Sequence, residues 1–94
     1  LTVENSIIRG NAGSIVTGEN VYIYGAGAAL FGYQTTCRFI NSVIVGNTLN
    51  QASSAYMAKG GGLYLANAAN LYLINSDILY NSVSDQNETW NAQG

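Results

Sequence analysis

The acidic residues near the end of the chain are the side chains that could act as acids, bases or metal ligands. Asp77, Asp85 and Glu88 lie close together in the sequence, and glycoside hydrolysis needs two carboxylates flanking one cleft. The corresponding positions 34 residues earlier are uncharged, so the acids form no repeated row. The chain has no histidine, the commonest general base and metal ligand. We therefore expect no catalytic residue, metal site or cofactor, with calcium at the three acids as the alternative.

The remaining reactive residue types also favour structural roles. Cys37 is the single cysteine and corresponds to Leu71, which predicts a small buried apolar side chain, with a reactive thiol as the alternative. Ser42 and Ser76 have no base nearby in the sequence. Asn87 begins an Asn-Glu-Thr triplet and is a candidate N-glycosylation site.

These residues belong to a repeated unit. The segments 27–60 and 61–94 share eight identical positions, and the end of an earlier copy lies within 1–26, at a spacing of 36 residues. We therefore expect one domain over 1–94. The identical pairs are Gly27/Gly61, Ile40/Ile74, Asn41/Asn75, Ser42/Ser76, Ile44/Ile78, Asn47/Asn81, Ala58/Ala92 and Gly60/Gly94.

The repeats are predicted to be strands rather than helices. Although 34 residues is also a helical-repeat length, the chain has 11 glycines and apolar runs rich in Val, Ile, Tyr and Phe that alternate with a period of two. The last copy predicts strands at Leu63–Leu65, Asn70–Ile74 and Asp77–Leu79. Three strands in each repeat predict an all-β right-handed parallel β-helix, a solenoid of about three coils of ~34 residues.

In such a fold, equivalent side chains of successive coils stack. Asn11, Asn47 and Asn81 are predicted to form an amide ladder. The aliphatic residues are predicted to stack in columns behind it: Ile8, Ile44 and Ile78; Val3, Phe39 and Leu73; and Leu1, Cys37 and Leu71.

The stretches 12–26, 48–60 and 82–94 are predicted to be loops. An aromatic residue lies five positions before Gly27, before Gly61 and before the glycine expected to follow Gly94. These aromatic residues are Tyr22, Tyr56 and Trp90. We expect these rings to pack against the flank. The alternative is a row of aromatic faces that contacts a glycan or a neighbouring protein chain.

An apolar stripe is expected on the outer side of the strands, and such a surface is commonly covered by protein. It is formed by Ile7, Val43, Val45, Leu79, Ile40 and Ile74.

Charge and hydropathy exclude several partner classes. The net charge of −2, with 9% charged residues and no basic cluster, argues against nucleic acid. No apolar run is long enough to insert into a membrane. Because the chain begins in mid-repeat without an initiator Met and shows no polar cap, we expect it to be an internal segment of a longer array.

The motifs resemble a known family. Gly-Gly-Gly-Leu-Tyr at 60–64 and Asn-Ser-x-Ile-x-x-Asn at 41–47 and 75–81 resemble the repeats of polymorphic outer-membrane proteins and, more broadly, the pectin-lyase-like right-handed parallel β-helix superfamily. In the repeats of polymorphic outer-membrane proteins the glycine pair is followed by Ala-Ile, whereas this sequence has Leu63-Tyr64 there.

The resemblance implies an extracellular or cell-surface passenger, adhesin or filament, and it does not imply an active site. We therefore expect a structural or adhesive rod that presents loops to a protein or glycan. The alternatives are a self-associating subunit of an extracellular filament or appendage, and a non-catalytic part of a polysaccharide lyase or hydrolase.

Overall fold

The computed structural model describes residues 1–15, 22–51, 57–67, 70–85 and 92–93, and every regular element within these ranges is a β-strand. The strands are β1 (Thr2–Glu4), β2 (Ile7–Arg9), β3 (Ala12–Ile15), β4 (Tyr22–Tyr24), β5 (Ala28–Phe31), β6 (Thr36–Ile40), β7 (Val43–Val45), β8 (Thr48–Gln51), β9 (Met57–Lys59), β10 (Leu63–Ala66), β11 (Asn70–Ile74), β12 (Asp77–Leu79), β13 (Ser82–Asp85) and β14 (Ala92–Gln93). No helix in the described ranges is long and apolar enough to cross a membrane.

The strands form five sheets in which every pairing is parallel. We call β1–β5 the first set, β6–β10 the second set and β11–β14 the third set. Four of the sheets take one strand from each of the three sets, and the fifth takes one strand from each of the first two. The sheet orders are β1-β6-β11, β2-β7-β12, β3-β8-β13, β4-β9-β14 and β5-β10.

The register places equivalent repeat positions side by side. In β1-β6-β11, Phe39 lies between Val3 and Leu73, and in β2-β7-β12, Ile44 lies between Ile8 and Ile78. The all-β class and the parallel pairing are thus confirmed. The predicted count of three strands in each repeat is wrong, because the first and second sets have five strands each.

The missed strands lie in the stretches predicted to be loops. Segments 12–26, 48–60 and 82–94 contain β3 and β4, β8 and β9, and β13 and β14. In β3-β8-β13 the half-buried or buried column is Gly13, Leu49 and Val83, and the residues that follow them, Ser14, Asn50 and Ser84, are polar and exposed. One apolar residue in a four-residue strand is too weak an alternation to recognise in the sequence.

Left-handed residues occupy the corners between strands. Asn5, Asn41 and Asn75 have φ of 50°, 50° and 47° between the strands of the first two sheets. Asparagine tolerates this conformation better than most residues. The next corner carries Gly10, Gly46 and Tyr80, with φ of 65°, 63° and 54°.

Two glycines are required by close packing rather than by φ. A Cβ on Gly27 would collide with the carbonyl oxygen of Gly62 and lie 2.8 Å from Ile44 Cγ2. A Cβ on Gly62 would lie 2.7 Å from Asn81 Nδ2 and 2.9 Å from Ile78 Cγ2. Gly27 therefore corresponds to Gly62, and the predicted equivalence with Gly61 is wrong.

The core is concentrated in the second set, which is covered on both sides. Phe39 and Ile44 are 2% and 1% exposed, and Cys37 is also buried. Their neighbours in the third set are far more open, with Leu73 44% and Ile78 37% exposed. Burial thus depends on having a neighbouring set on each side.

Candidate functional site

Among the side chains that the structure describes, the most buried polar one is Asn47, which belongs to the inner amide row of Asn11, Asn47 and Asn81. Asn11 Nδ2 donates to Asn47 Oδ1 at 2.9 Å, and Asn47 Nδ2 donates to Asn81 Oδ1 at 2.9 Å. The backbone N–H groups of Asn11 and Asn47 donate to the same two oxygens at 3.0 and 2.9 Å. The structure therefore brings the three predicted amides into one hydrogen-bonded row.

The inner amide row also bonds the neighbouring strands. Asn47 Nδ2 donates to the carbonyl oxygen of Ile8 at 3.1 Å, and Asn81 Nδ2 donates to that of Ile44 at 2.9 Å. Asn47 is fully buried, and an unpaired amide there would cost several kcal/mol, roughly 2–7. The Oδ1 of Asn47 accepts two hydrogen bonds and its Nδ2 donates two, so the whole amide group links neighbouring strands.

A second polar row lies at the preceding corner. The backbone N–H of Ser6 donates to Ser42 Oγ at 3.2 Å, and that of Ser42 donates to Ser76 Oγ at 3.0 Å. Ser42 Oγ in turn donates to the carbonyl oxygen of Ile40 at 2.9 Å. These hydroxyls act as structural links, and none contacts a base among the described side chains.

The outer amide row, which consists of Asn5, Asn41 and Asn75, runs beside the serines on the surface. Asn75 Nδ2 donates to Asn41 Oδ1 at 2.8 Å, and Asn41 Nδ2 donates to Asn5 Oδ1 at 3.4 Å. The donation runs from later to earlier sets, opposite to the inner amide row.

The acids considered for chemistry do not converge in the described part of the chain. Asp77 is exposed on β12 and pairs in register with Val43. The backbone of Asp85 lies in β13, whereas Glu88 and the glycosylation candidate Asn87 lie outside the described residues. No cluster of three metal-ligating side chains is found among the residues described.

Cys37 is a packed core residue. It is 3% exposed, belongs to the cluster with Phe39 and Ile44, and forms no disulfide. Burial raises the pKa of its thiol, and the nearby N-terminal ammonium partly offsets this. An open cleft of about 160 Å³ reaches it beside Leu1, Leu30 and Phe31, but a raised pKa keeps the thiol protonated and unreactive.

The predicted row of aromatic residues is not supported where the register is known. Tyr22 pairs with Met57, one position beyond Tyr56. The connection between β5 and β6 has one more residue than the connection between β10 and β11, so Gly27 corresponds to Gly62. Counting back five residues from Gly27 and from Gly61 therefore gives positions that are one residue out of register. Tyr56 and Trp90 lie outside the described residues.

The structure instead forms an aromatic patch from Tyr24, Phe31 and Tyr64. Tyr24 stacks on Tyr64 with ring centroids 4.5 Å apart, and Phe31 lies 5.6 Å from Tyr24 and 5.5 Å from Tyr64. The Phe31 side chain is 57% exposed. Tyr64 pairs with the small Ala29, which leaves room for the ring of Tyr24. Sequence reasoning missed this patch because the Ala–Tyr pairing is visible only once the register is known.

A second exposed apolar surface follows the outer side of β2-β7-β12. Ile7 is 65% and Leu79 is 42% exposed, with Val43 and Val45 half-buried between them. Ile74 is 48% exposed above Ile40 at the adjacent corner. The predicted apolar stripe is therefore present and open to solvent.

No family model matches the chain, and no curated protein or solved structure matches it either. The strand register, the polar rows and the exposed apolar surfaces are therefore the features from which we infer a function.

Proposed function

We propose that the chain is a segment of a right-handed parallel β-helix that serves as a rod-like structural or adhesive element at the cell surface or outside the cell. The observation that carries the proposal is the common strand order of the five parallel sheets. The chain returns to the same sheets in the same order, set after set, and this order supports a helical path. The right-handed sense is supported by the strong preference of parallel crossovers for that hand.

The use of polar side chains supports a structural role. Asn47, Ser42 and Asn41 bind one set to the next, which is how a one-dimensional repeat array gains stiffness. The proposal assigns no catalytic step to this segment.

The extracellular assignment is supported by the surface chemistry and the family resemblance. The surface of a chain with 9% charged residues recognises partners through packing and hydrogen bonds rather than through long-range charge. The Gly-Gly-Gly-Leu-Tyr and Asn-Ser-x-Ile-x-x-Asn motifs are similar to those of surface-exposed β-helical passengers.

The aromatic patch is the surface that we propose contacts a glycan or protein partner. Aromatic rings supply large contact areas at a low entropic cost. Because the segments predicted to be presenting loops contain paired strands, the patch on β4, β5 and β10 replaces them as the proposed partner contact.

Binding to a glycan array and to immobilised extracellular-matrix proteins tests this function. Phe31→Ala should reduce binding at least tenfold while leaving the circular dichroism spectrum unchanged. Tyr72→Ala is the matched control, because that ring is 51% exposed but lies over Arg38, with its centroid 5.4 Å from the guanidinium carbon. Equal losses in both variants, or no binding to any probe, would count against the adhesive function.

A filament subunit is the second candidate function, favoured by the open outer stripe. An exposed Ile7 and Leu79 on one sheet face are typical of a surface that another protein covers.

A further inference from the structure

The outer side of β2-β7-β12 combines an apolar centre with two opposite charges at its corners. Each strand places two side chains outward, so the sheet presents three rows of two. The six side chains are Ile7 and Arg9 in the first set, Val43 and Val45 in the second set, and Asp77 and Leu79 in the third set.

The centre of this surface is open although strands lie on both sides of it. Val43 and Val45 belong to β7, between β2 and β12, yet both remain partly exposed. Ile44 lies between them in sequence, faces inward and is 1% exposed. The neighbouring sets therefore cover the inner side of the sheet and leave its outer side open. An apolar surface that is rimmed by polar residues is typical of an interaction site.

The two charges occupy diagonally opposite corners. Arg9 pairs in register with Val45, and Asp77 pairs with Val43. With strands about 4.8 Å apart and alternate residues about 6.6 Å apart, the Cα atoms of Arg9 and Asp77 are separated by about 12 Å. Both side chains are exposed, and neither forms an ion pair within the described part of the chain.

This diagonal placement makes the surface complementary to itself. Consider a two-fold axis that lies in the plane of the sheet, through its centre and perpendicular to the line from Arg9 to Asp77. The axis brings Arg9 of each copy opposite Asp77 of the other. Ile7 and Leu79 lie close to the axis, so each meets its own counterpart. Packed sheets are about 10 Å apart, a gap that the long arginine and the shorter aspartate can bridge together.

We propose that the outer side of β2-β7-β12 binds the same surface of a second copy of this chain, so that two molecules pair side by side. The contact is isologous and closes as a dimer, with two Arg9–Asp77 ion pairs around an apolar centre. Opposite charges fix the orientation of the two copies, and like charges at these corners oppose any other. The surface is small beside the usual 800 Å² or so for each partner, so the pairing is weak and depends on concentration. The inference rests on the open outer stripe that favours the second candidate function, and it names the protein that covers this part of the stripe.

Exchanging the charges tests the pairing. Arg9→Asp places negative charges opposite each other at both corners, and Asp77→Arg places positive charges there. Each variant alone should self-associate at least tenfold more weakly than the parent in sedimentation equilibrium of the 94-residue protein. An equimolar mixture of the two variants should recover the affinity of the parent as a heterodimer, because every facing pair is again opposite in charge.

Arg38→Asp and Glu4→Arg are the matched controls. They make the same two changes in charge at exposed positions on the neighbouring sheet β1-β6-β11. Both should self-associate like the parent. Circular dichroism of each variant establishes that it is folded, which is expected because all four substituted side chains are exposed.

A folded parent that stays monomeric at every concentration would overturn the proposal. Equal weakening by Arg9→Asp and Arg38→Asp, or a mixture of Arg9→Asp and Asp77→Arg that does not recover, would also overturn it. The filament function fails separately, if electron micrographs of the parent show no filaments. The adhesive function fails separately too, if the parent binds no glycan or matrix protein.

Discussion

Replacing Asn47 with alanine should be among the most destabilising changes at a polar position of this chain. Its side chain accepts hydrogen bonds from the N–H and Nδ2 of Asn11, and donates to the Ile8 carbonyl and Asn81 Oδ1. A hydrogen bond contributes about 0.5–1.5 kcal/mol net, so the loss of four, with partners left in a buried site, should cost ~3–5 kcal/mol. A chain of this size has a total free energy of unfolding of ~5–14 kcal/mol.

Asn11→Ala is the matched control. It occupies the same row, but it is exposed, and within the described part of the chain its side chain makes one hydrogen bond, to Asn47 Oδ1 at 2.9 Å. Its loss should cost about 1 kcal/mol. Urea denaturation followed by circular dichroism gives both free energies of unfolding. If Asn47→Ala costs no more than Asn11→Ala, the inner amide row is not what binds the sets together.

The other predictions concern glycine positions, corner strain and the buried thiol. Gly27→Ala should lower the free energy of unfolding by about 2–3 kcal/mol, because the added Cβ collides with Gly62. Gly46→Ala has open space around it and should cost about 1 kcal/mol, because alanine is strained at its φ of 63°. Equal decreases in melting temperature in the two variants would contradict this. Tyr80→Gly should raise the free energy of unfolding by roughly 0.5–1 kcal/mol, because glycine relieves a φ of 54° at an exposed corner. A lower melting temperature in this variant would contradict the prediction. Because burial raises the pKa of Cys37, its thiol contributes stability below the unfolded pKa of about 8.5 and loses that contribution as the pH rises through the folded pKa. Urea midpoints above pH 8.5 should therefore fall more in the parent than in Cys37→Val, and a parallel decline would contradict the assignment.

The polar and aliphatic rows were predictable because like residues recur where the chain turns. Asn47 and Asn81, or Ile44 and Ile78, are identical across one repeat, and a parallel stack places them together. The outward apolar stripe was predictable from the period-two alternation of residues within the strands.

The strands in the predicted loops were not predictable, because short strands with one core-facing residue lack a clear alternation. In β8, only Leu49 is apolar, yet it is 1% exposed. Its partners are Gly13 and Val83, which share no residue type from which an equivalence can be read.

The aromatic residues were misaligned because the first repeat has one more residue than the second between its fifth strand and the next set. A single residue shifts Tyr22 from Tyr56 to Met57, and a run of three glycines makes Gly61 and Gly62 indistinguishable as partners of Gly27. Only the pairing of backbones resolves such one-residue ambiguities.

Methyl nuclear Overhauser contacts among Ile8, Ile44 and Ile78 test the stacking of the sets most directly. In a sample labelled at isoleucine methyl groups, the account predicts contacts between Ile8 and Ile44 and between Ile44 and Ile78 in the monomer, without a direct contact between Ile8 and Ile78. Absence of both neighbouring contacts in the folded protein would contradict the stacked arrangement of the three sets.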